Sequence, residues 1–178
     1  MPTGEVLLWP GALTLPDGTS GNAFAQAQVI KSTGTAPTNG PVLHFTELLF
    51  DGTTDEHVFF PFMMPGDYSS GGTLVLNWKR ASGTGAANVV WKGAVAAITP
   101  GGTEVPNTKS LNTVATVTTA AGTTSQAEQT SSITLTMDAA VAGDSVDIML
   151  GRDADNASDT LNAVDAQVRT VKFTYTTP

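Results

Sequence analysis

Over residues 143–175 apolar and polar side chains alternate with a period of two, and then the parity of the alternation changes. Val146, Ile148 and Leu150 are separated by Asp147 and Met149, which predicts a half-buried strand. A polar loop, 153–159, interrupts the pattern, and it resumes through Val164, Ala166 and Val168. Val171, Phe173 and Tyr175 then alternate on the opposite parity. A strand keeps one face buried across such a shift only by a β-bulge or by changing sheets, so one or the other is expected near Thr170. The simplest reading is an antiparallel hairpin closing a β-sandwich, with a charge-rich tip.

The rest of the chain shows the same period without helical patterning of useful length. Short apolar runs at 5–9, 42–50, 56–62, 88–98, 111–119 and 132–137 are separated by Gly, Pro and Asp-Gly turns. Residues 22–30 alternate weakly, as an edge strand does. Leu74, Leu76 and Trp78 share a face, and 82–86 forms a Gly-containing loop that predicts a hairpin returning through 88–98. The segment 138–143 has room for no more than a helical turn. Roughly eight to ten strands at this spacing predict an all-β fold, an antiparallel β-sandwich of jelly-roll type with little or no helix. An immunoglobulin-like sandwich is the runner-up. Residues 1–178 read as a single domain, with 1–21 open to reading as an extended N-terminal arm in which Leu7, Leu8 and Trp9 are the interface candidates.

Charge excludes several functions. Charged residues make up only 13% of the chain, with 8 basic against 16 acidic side chains and a net charge of −8. Such a chain lacks the electrostatic footprint of a nucleic-acid binder and is repelled by anionic membrane surfaces. The N-terminal residues lack the basic region of a secretory signal, so synthesis and retention in a cytoplasm are expected. Cysteine is absent, which removes disulfides and thiolate metal sites.

Little in the sequence carries chemistry. His44 and His57 have no nucleophile elbow or zinc motif beside them, and the acid pairs Asp55/Glu56 and Asp153/Asp155 read as solvated loop carboxylates. No catalytic residues and no cofactor are assigned. Asp153, Asp155 and Asp159 offer hard oxygens for calcium, but Ala157 stands at the fifth position of that loop and Val164 at the twelfth, where an EF-hand needs ligands. A hydrated loop in which Arg152 pairs with an acid is the competing reading. Trp78 and Trp91 share faces with aliphatic residues and read as core, which leaves Trp9 as the exposed indole.

One set of residues carries a resemblance. Met64-Pro65-Gly66-Asp67-Tyr68 with Ser70-Gly71-Gly72, Trp78, Asn88-Val89-Val90-Trp91, Ala142-Gly143-Asp144, the run from Arg152 through Asp159 to Thr160, and Tyr175 occur in that order. This pattern resembles a group of small tailed-bacteriophage virion structural proteins with a jelly-roll sandwich, over roughly residues 47–176. The resemblance implies a non-enzymatic capsid decoration (cement) protein on the outer capsid surface. Its implied partners are the major capsid protein and further copies of itself in a homotrimer, with no nucleic acid and no membrane. The alternative is a tail- or fibre-associated module that binds a receptor or glycan through loops 31–41, 82–86 or 153–162.

Overall fold

Two sheets face one another across the alternating apolar residues, in a computed structural model that describes residues 2–9, 13–19, 21 and 23–178. The strands are β1 (Thr3–Leu8), β2 (Ala23–Phe24), β3 (Gln26–Lys31), β4 (His44–Phe50), β5 (Glu56–Met63) and β6 (Ser70–Arg80). They continue with β7 (Ala87–Ile98), β8 (Ala115–Ala121), β9 (Gln129–Thr134), β10 (Ser145–Arg152) and β11 (Ala166–Thr176). One sheet runs β3-β4-β11-β6-β9, with β1 also on β11; the other runs β2-β5-β10-β7-β8. Among the described residues every pairing is antiparallel except the two-residue contact of β2 with β5. A single 3-10 turn, Pro106–Thr108, is the helical content among the described residues. The fold is the expected all-β sandwich.

The two expected hairpins, with loops at 82–86 and 153–159, are not hairpins. β10 lies in the five-stranded sheet and β11 in the six-stranded one, so 153–165 crosses between sheets. The same holds for β6 and β7, whose joining loop passes from one sheet to the other. Alternation is identical in a hairpin and in such an arch. What differs is whether the two apolar faces lie side by side or opposite each other, and periodicity is blind to that. The segment 138–143 holds a tight turn and no helix, within the bound expected of it. Asp138 and Ala139 both take positive φ (49° and 53°), and Ala140 N–H donates to the Met137 carbonyl at 2.8 Å, which makes a type I′ turn.

The facing sides of the sheets supply the core. Leu74, Leu76 and Trp78 of β6 meet Val89, Trp91 and Val95 of β7, all fully buried. The Trp78 and Trp91 rings cross at 71° with centroids 5.4 Å apart, and Phe50 stands edge-on to Trp91 at 5.3 Å. Trp78 Nε1 donates to Ser131 Oγ at 2.8 Å, and Ser131 Oγ donates to Thr119 Oγ1 at 2.9 Å, tying β9 to β8. That bond closes one side of the sandwich.

The parity change near Thr170 is a β-bulge. Val168 pairs with Trp78 and Thr170 with Asn77, so Arg169 is the inserted residue. Ala166, Val168, Val171, Phe173 and Tyr175 are consequently all buried. A second irregularity lies opposite Thr174–Thr176, where β6 carries the extra residue and Gly71 takes φ +67°, a conformation that favours glycine. The expected arm is partly strand. β1 lies along β11 in register from Thr3↔Thr176 to Leu8↔Val171.

Candidate binding groove

The bulge has a consequence at the sheet edge. β4 pairs with β11 only over Ala166–Val168, and β1 takes the same side of β11 from Val171 onward. The first half of β4 therefore diverges from β11 at Arg169, and the end of β1 enters the fork. The result is a groove of about 450 Å³ between Leu7, Trp9, His44, Phe45, Arg169 and Thr170. The alternation of β1 divides the three interface candidates. Leu8 is buried in the core, whereas Leu7 and Trp9 are 54% and 66% exposed.

The floor of the groove is cation-rich around one ring. Arg169 Cζ lies 4.7 Å and Lys79 Nζ 5.1 Å from the Phe45 ring centroid, within cation–π distance. Lys79 is itself held by Glu47, 2.7 Å from Oε1, and both side chains are buried or nearly so. Arg169 Nη1 donates to Glu128 Oε1 at 2.9 Å. His44 Nδ1 is 2.9 Å from the Val42 carbonyl, which makes Nδ1 the donor of that bond and leaves Nε2 outside it. The groove thus offers one open indole, apolar walls and hydrogen-bonding groups of both kinds.

The acidic loop is arranged for structure. Arg152 and Asp159 are fully buried, and Arg152 also donates to the Val164 and Leu161 carbonyls at 2.8 and 2.9 Å. Asp159 Oδ2 accepts a third bond from Val90 N–H at 3.1 Å, and Asn88 N–H donates to Thr160 Oγ1 at 2.8 Å. The run most specific to the phage-like pattern is thereby a staple between the crossing loop and β7. Tyr175 Oη, which donates to Asp67 Oδ1 at 2.8 Å, ties two more of those motif residues together.

Asp159 is therefore not grouped with the other calcium candidates. Asp153 and Asp155 are joined instead by Asp55, and their carboxylate oxygens lie within 4.8 Å of one another. Sequence reasoning separated Asp55 from this loop because nearly a hundred residues intervene; only the β5–β10 pairing of Glu56 with Arg152 brings them together. The group already has a cation. Lys92 Nζ ion-pairs with Asp55 and lies 3.4 Å from Asp153 Oδ1. Burial pushes the Asp55 carboxyl up, but the Lys92 bond and charge with two backbone N–H donors outweigh it and hold it below the usual range. Burial and the Lys92 charge together lower the pKa of nearby His57. His44 and His57 stand in different sheets, so the structure does not bring them together.

No protein family matches the sequence, and no curated relative does. Solved structures do share its general shape. A family 11 carbohydrate-binding module from Clostridium thermocellum, in complex with a β-1,3-1,4-mixed-linked tetrasaccharide, is 12% identical at TM-score 0.39, over 96% of this chain and 87% of that one. The CBM35 module of Cellvibrio japonicus is 12% identical at 0.40, over 98% and 99%. The K1 cleaved adhesin domain of Lys-gingipain from Porphyromonas gingivalis is 15% identical at 0.44, over 97% and 98%. This chain spans 26% of a Clostridium thermocellum xylanase chain and 24% of an α-L-arabinofuranosidase chain that it also resembles. These scores and identities are too low to bear on what this chain binds.

Proposed function

We propose that the protein is a non-enzymatic β-sandwich binding module that takes a carbohydrate in the groove beside Trp9. The observation that carries this reading is an indole 66% exposed at the mouth of a groove with apolar walls and polar groups at its rim. A sugar ring presents one C–H face to an aromatic and a belt of hydroxyls to donors and acceptors, which matches Trp9 with His44 and Arg169. Trp78 and Trp91 are core, so Trp9 is the platform among the described residues. The test is a glycan array followed by calorimetry on the hits with Trp9→Ala. A loss of affinity of about tenfold or more, with unchanged melting, supports the reading. An array without hits, or hits that Trp9→Ala leaves intact, sinks it.

A second reading rests on the aliphatic surround. Leu7 is 54% and Leu43, next to His44, is 58% exposed, and apolar surface of this kind also suits burial against protein. Under the phage-like resemblance, that protein is the outer shell of a tailed-phage capsid, and this chain is its decoration protein, a homotrimer in the virion. Co-sedimentation with expanded capsids and a raised capsid disruption temperature are expected on this reading. If neither is observed, it fails.

A further inference from the structure

The outer edge of β3 is an unprotected pairing surface, and we infer that it joins two copies of this chain about a two-fold axis. Among the described residues β3 pairs only with β4. Ser32 N–H donates to the Leu43 carbonyl at 2.8 Å, which continues the β3–β4 ladder and fixes its phase. Even-numbered residues therefore turn their backbone groups toward β4, and Ala27, Val29 and Lys31 turn theirs outward. That leaves three N–H and three carbonyl groups in a row on an exposed strand, with Val29 67% exposed in the middle.

The borders formed by β8, β9 and β1 are managed. β8 and β9 are tied to each other by the Ser131–Thr119 bond. β1 carries Glu5 at its centre, a charge of the kind that discourages edge pairing. β3 has no Pro, no bulge and no acid, and its one charge, Lys31, stands at its last position rather than its centre. Lys31 is the lone charged residue in the whole stretch 18–46, in a chain of net charge −8. Two strongly acidic molecules approach with least repulsion where acids are missing, so the charge pattern favours a second copy as the occupant.

Register follows from geometry. A two-fold perpendicular to the sheet keeps each face continuous, so opposed residues must share parity. Hydrogen bonding by the outward groups requires the odd residues to form the closely bonded pairs. The register that uses all of them sets Val29 against its twin and Ala27 against Lys31, giving six backbone bonds and no like charges face to face. The two six-stranded sheets become one continuous sheet. This inference is independent of which sugar the groove takes, and it stands against the homotrimer of the capsid reading.

Sedimentation of the full chain at roughly 100 µM should give twice the 18.3 kDa chain mass. Val29→Pro removes an outward N–H without touching the β4 ladder and should weaken the dimer about tenfold or more, as should Val29→Lys if the proline variant does not fold. The chain has no cysteine, so an introduced one is an unambiguous probe. Val29→Cys should cross-link under mild oxidation, because bonded antiparallel pairs hold Cα atoms about 5.5 Å apart, and Gln28→Cys, offset from its twin, should not. A monomer at that concentration overturns the inference. So does a trimer or dimer indifferent to both Val29 variants, or cross-linking through Gln28→Cys as readily as through Val29→Cys.

Discussion

Arg152 and Asp159 meet through two parallel hydrogen bonds, Nε to Oδ2 at 3.0 Å and Nη2 to Oδ1 at 2.9 Å, with both side chains out of contact with water. The pair fixes the loop that carries the chain from β10 in one sheet to β11 in the other. Burying two charges is costly, and here the remaining guanidinium donors and carboxylate lone pairs are taken up by backbone groups. Removing one partner leaves the other charge stranded. Asp159→Ala is expected to destabilise by about 3–5 kcal/mol, lowering the melting temperature by roughly 10 °C in calorimetry. A loss below about 1 kcal/mol would contradict the staple role.

The two core tryptophans should respond differently to the same substitution. Trp78 Nε1 has Ser131 Oγ as its acceptor, whereas Trp91 Nε1 is buried without a hydrogen-bond partner among the described residues. Trp78→Phe removes a bond and unsettles the Ser131–Thr119 link, while Trp91→Phe removes an unsatisfied donor. Urea titration should place Trp78→Phe about 1–2 kcal/mol below Trp91→Phe. Equal costs would mean that ring volume alone decides.

Glu56 gives the stability a pH dependence of definite sign. Burial, with the neighbouring charges of Asp51 and Asp165, raises its pKa from 4.5 to about 6, against the Asp51 N–H bond at 2.7 Å and the Arg152 charge. A carboxyl raised in the folded state binds protons more tightly there, so its contribution falls as pH rises from 4.5 to about 6. Asp55 works the other way, since its lowered pKa stabilises above the unfolded value and that gain is lost in acid. Glu56→Gln keeps an acceptor for Asp51 and should gain about 1 kcal/mol at neutral pH after allowance for partial exposure. Denaturation curves below pH 4.5 should show the gain gone; a gain that persists in acid would refute the assignment.

Two backbone positions make a matched pair of tests. Ala139 sits at φ +53°, where a Cβ is strained, so Ala139→Gly is expected to be stabilising by roughly 0.5–1 kcal/mol. Gly52 needs its missing side chain for a different reason. A Cβ there would stand 2.5 Å from the Val164 backbone nitrogen, and Gly52→Ala should cost about 2 kcal/mol or more, read by thermal melts.

Calcium should leave the melting temperature unchanged, because the Lys92 ammonium already pairs with both Asp55 and Asp153 where an ion would sit. A shift of several degrees at millimolar calcium, absent with magnesium, would show that the lysine yields its place.

The sequence carried the strand pattern and the parity change near Thr170 clearly, because Val168 and Val171 stand on opposite parities, but it left a bulge and a change of sheets both open. It carried the burial of Trp78 and Trp91 as well, since their neighbours at two-residue spacing are aliphatic. It was silent on which strands pair, and so it mistook arches for hairpins at 82–86 and 153–159. The groove was half visible. Trp9 stood out beside Leu7, but Phe45, His44 and Arg169 join it only through the fork that the bulge opens in the sheet. Asp55 escaped notice beside Asp153 for the same cause, a contact made by register across distant segments. Ala139 at positive φ hid the type I′ turn, for which glycine or asparagine is the usual sign.

β11 is central to the six-stranded sheet, flanked by β4 and β1 on one side and β6 on the other, yet it follows every other strand in the chain. During synthesis, β1, β4 and β6 emerge with their pairing edges toward β11 empty, and nothing local can fill them. Sheet closure must therefore wait until β11 has left the ribosome, and the nascent chain spends that interval with open, Leu-rich edges. At the chain length where β10 has emerged and β11 has not, the second sheet can assemble around β5, β10 and β7 while the first has no centre, and chaperone occupancy should be greatest there.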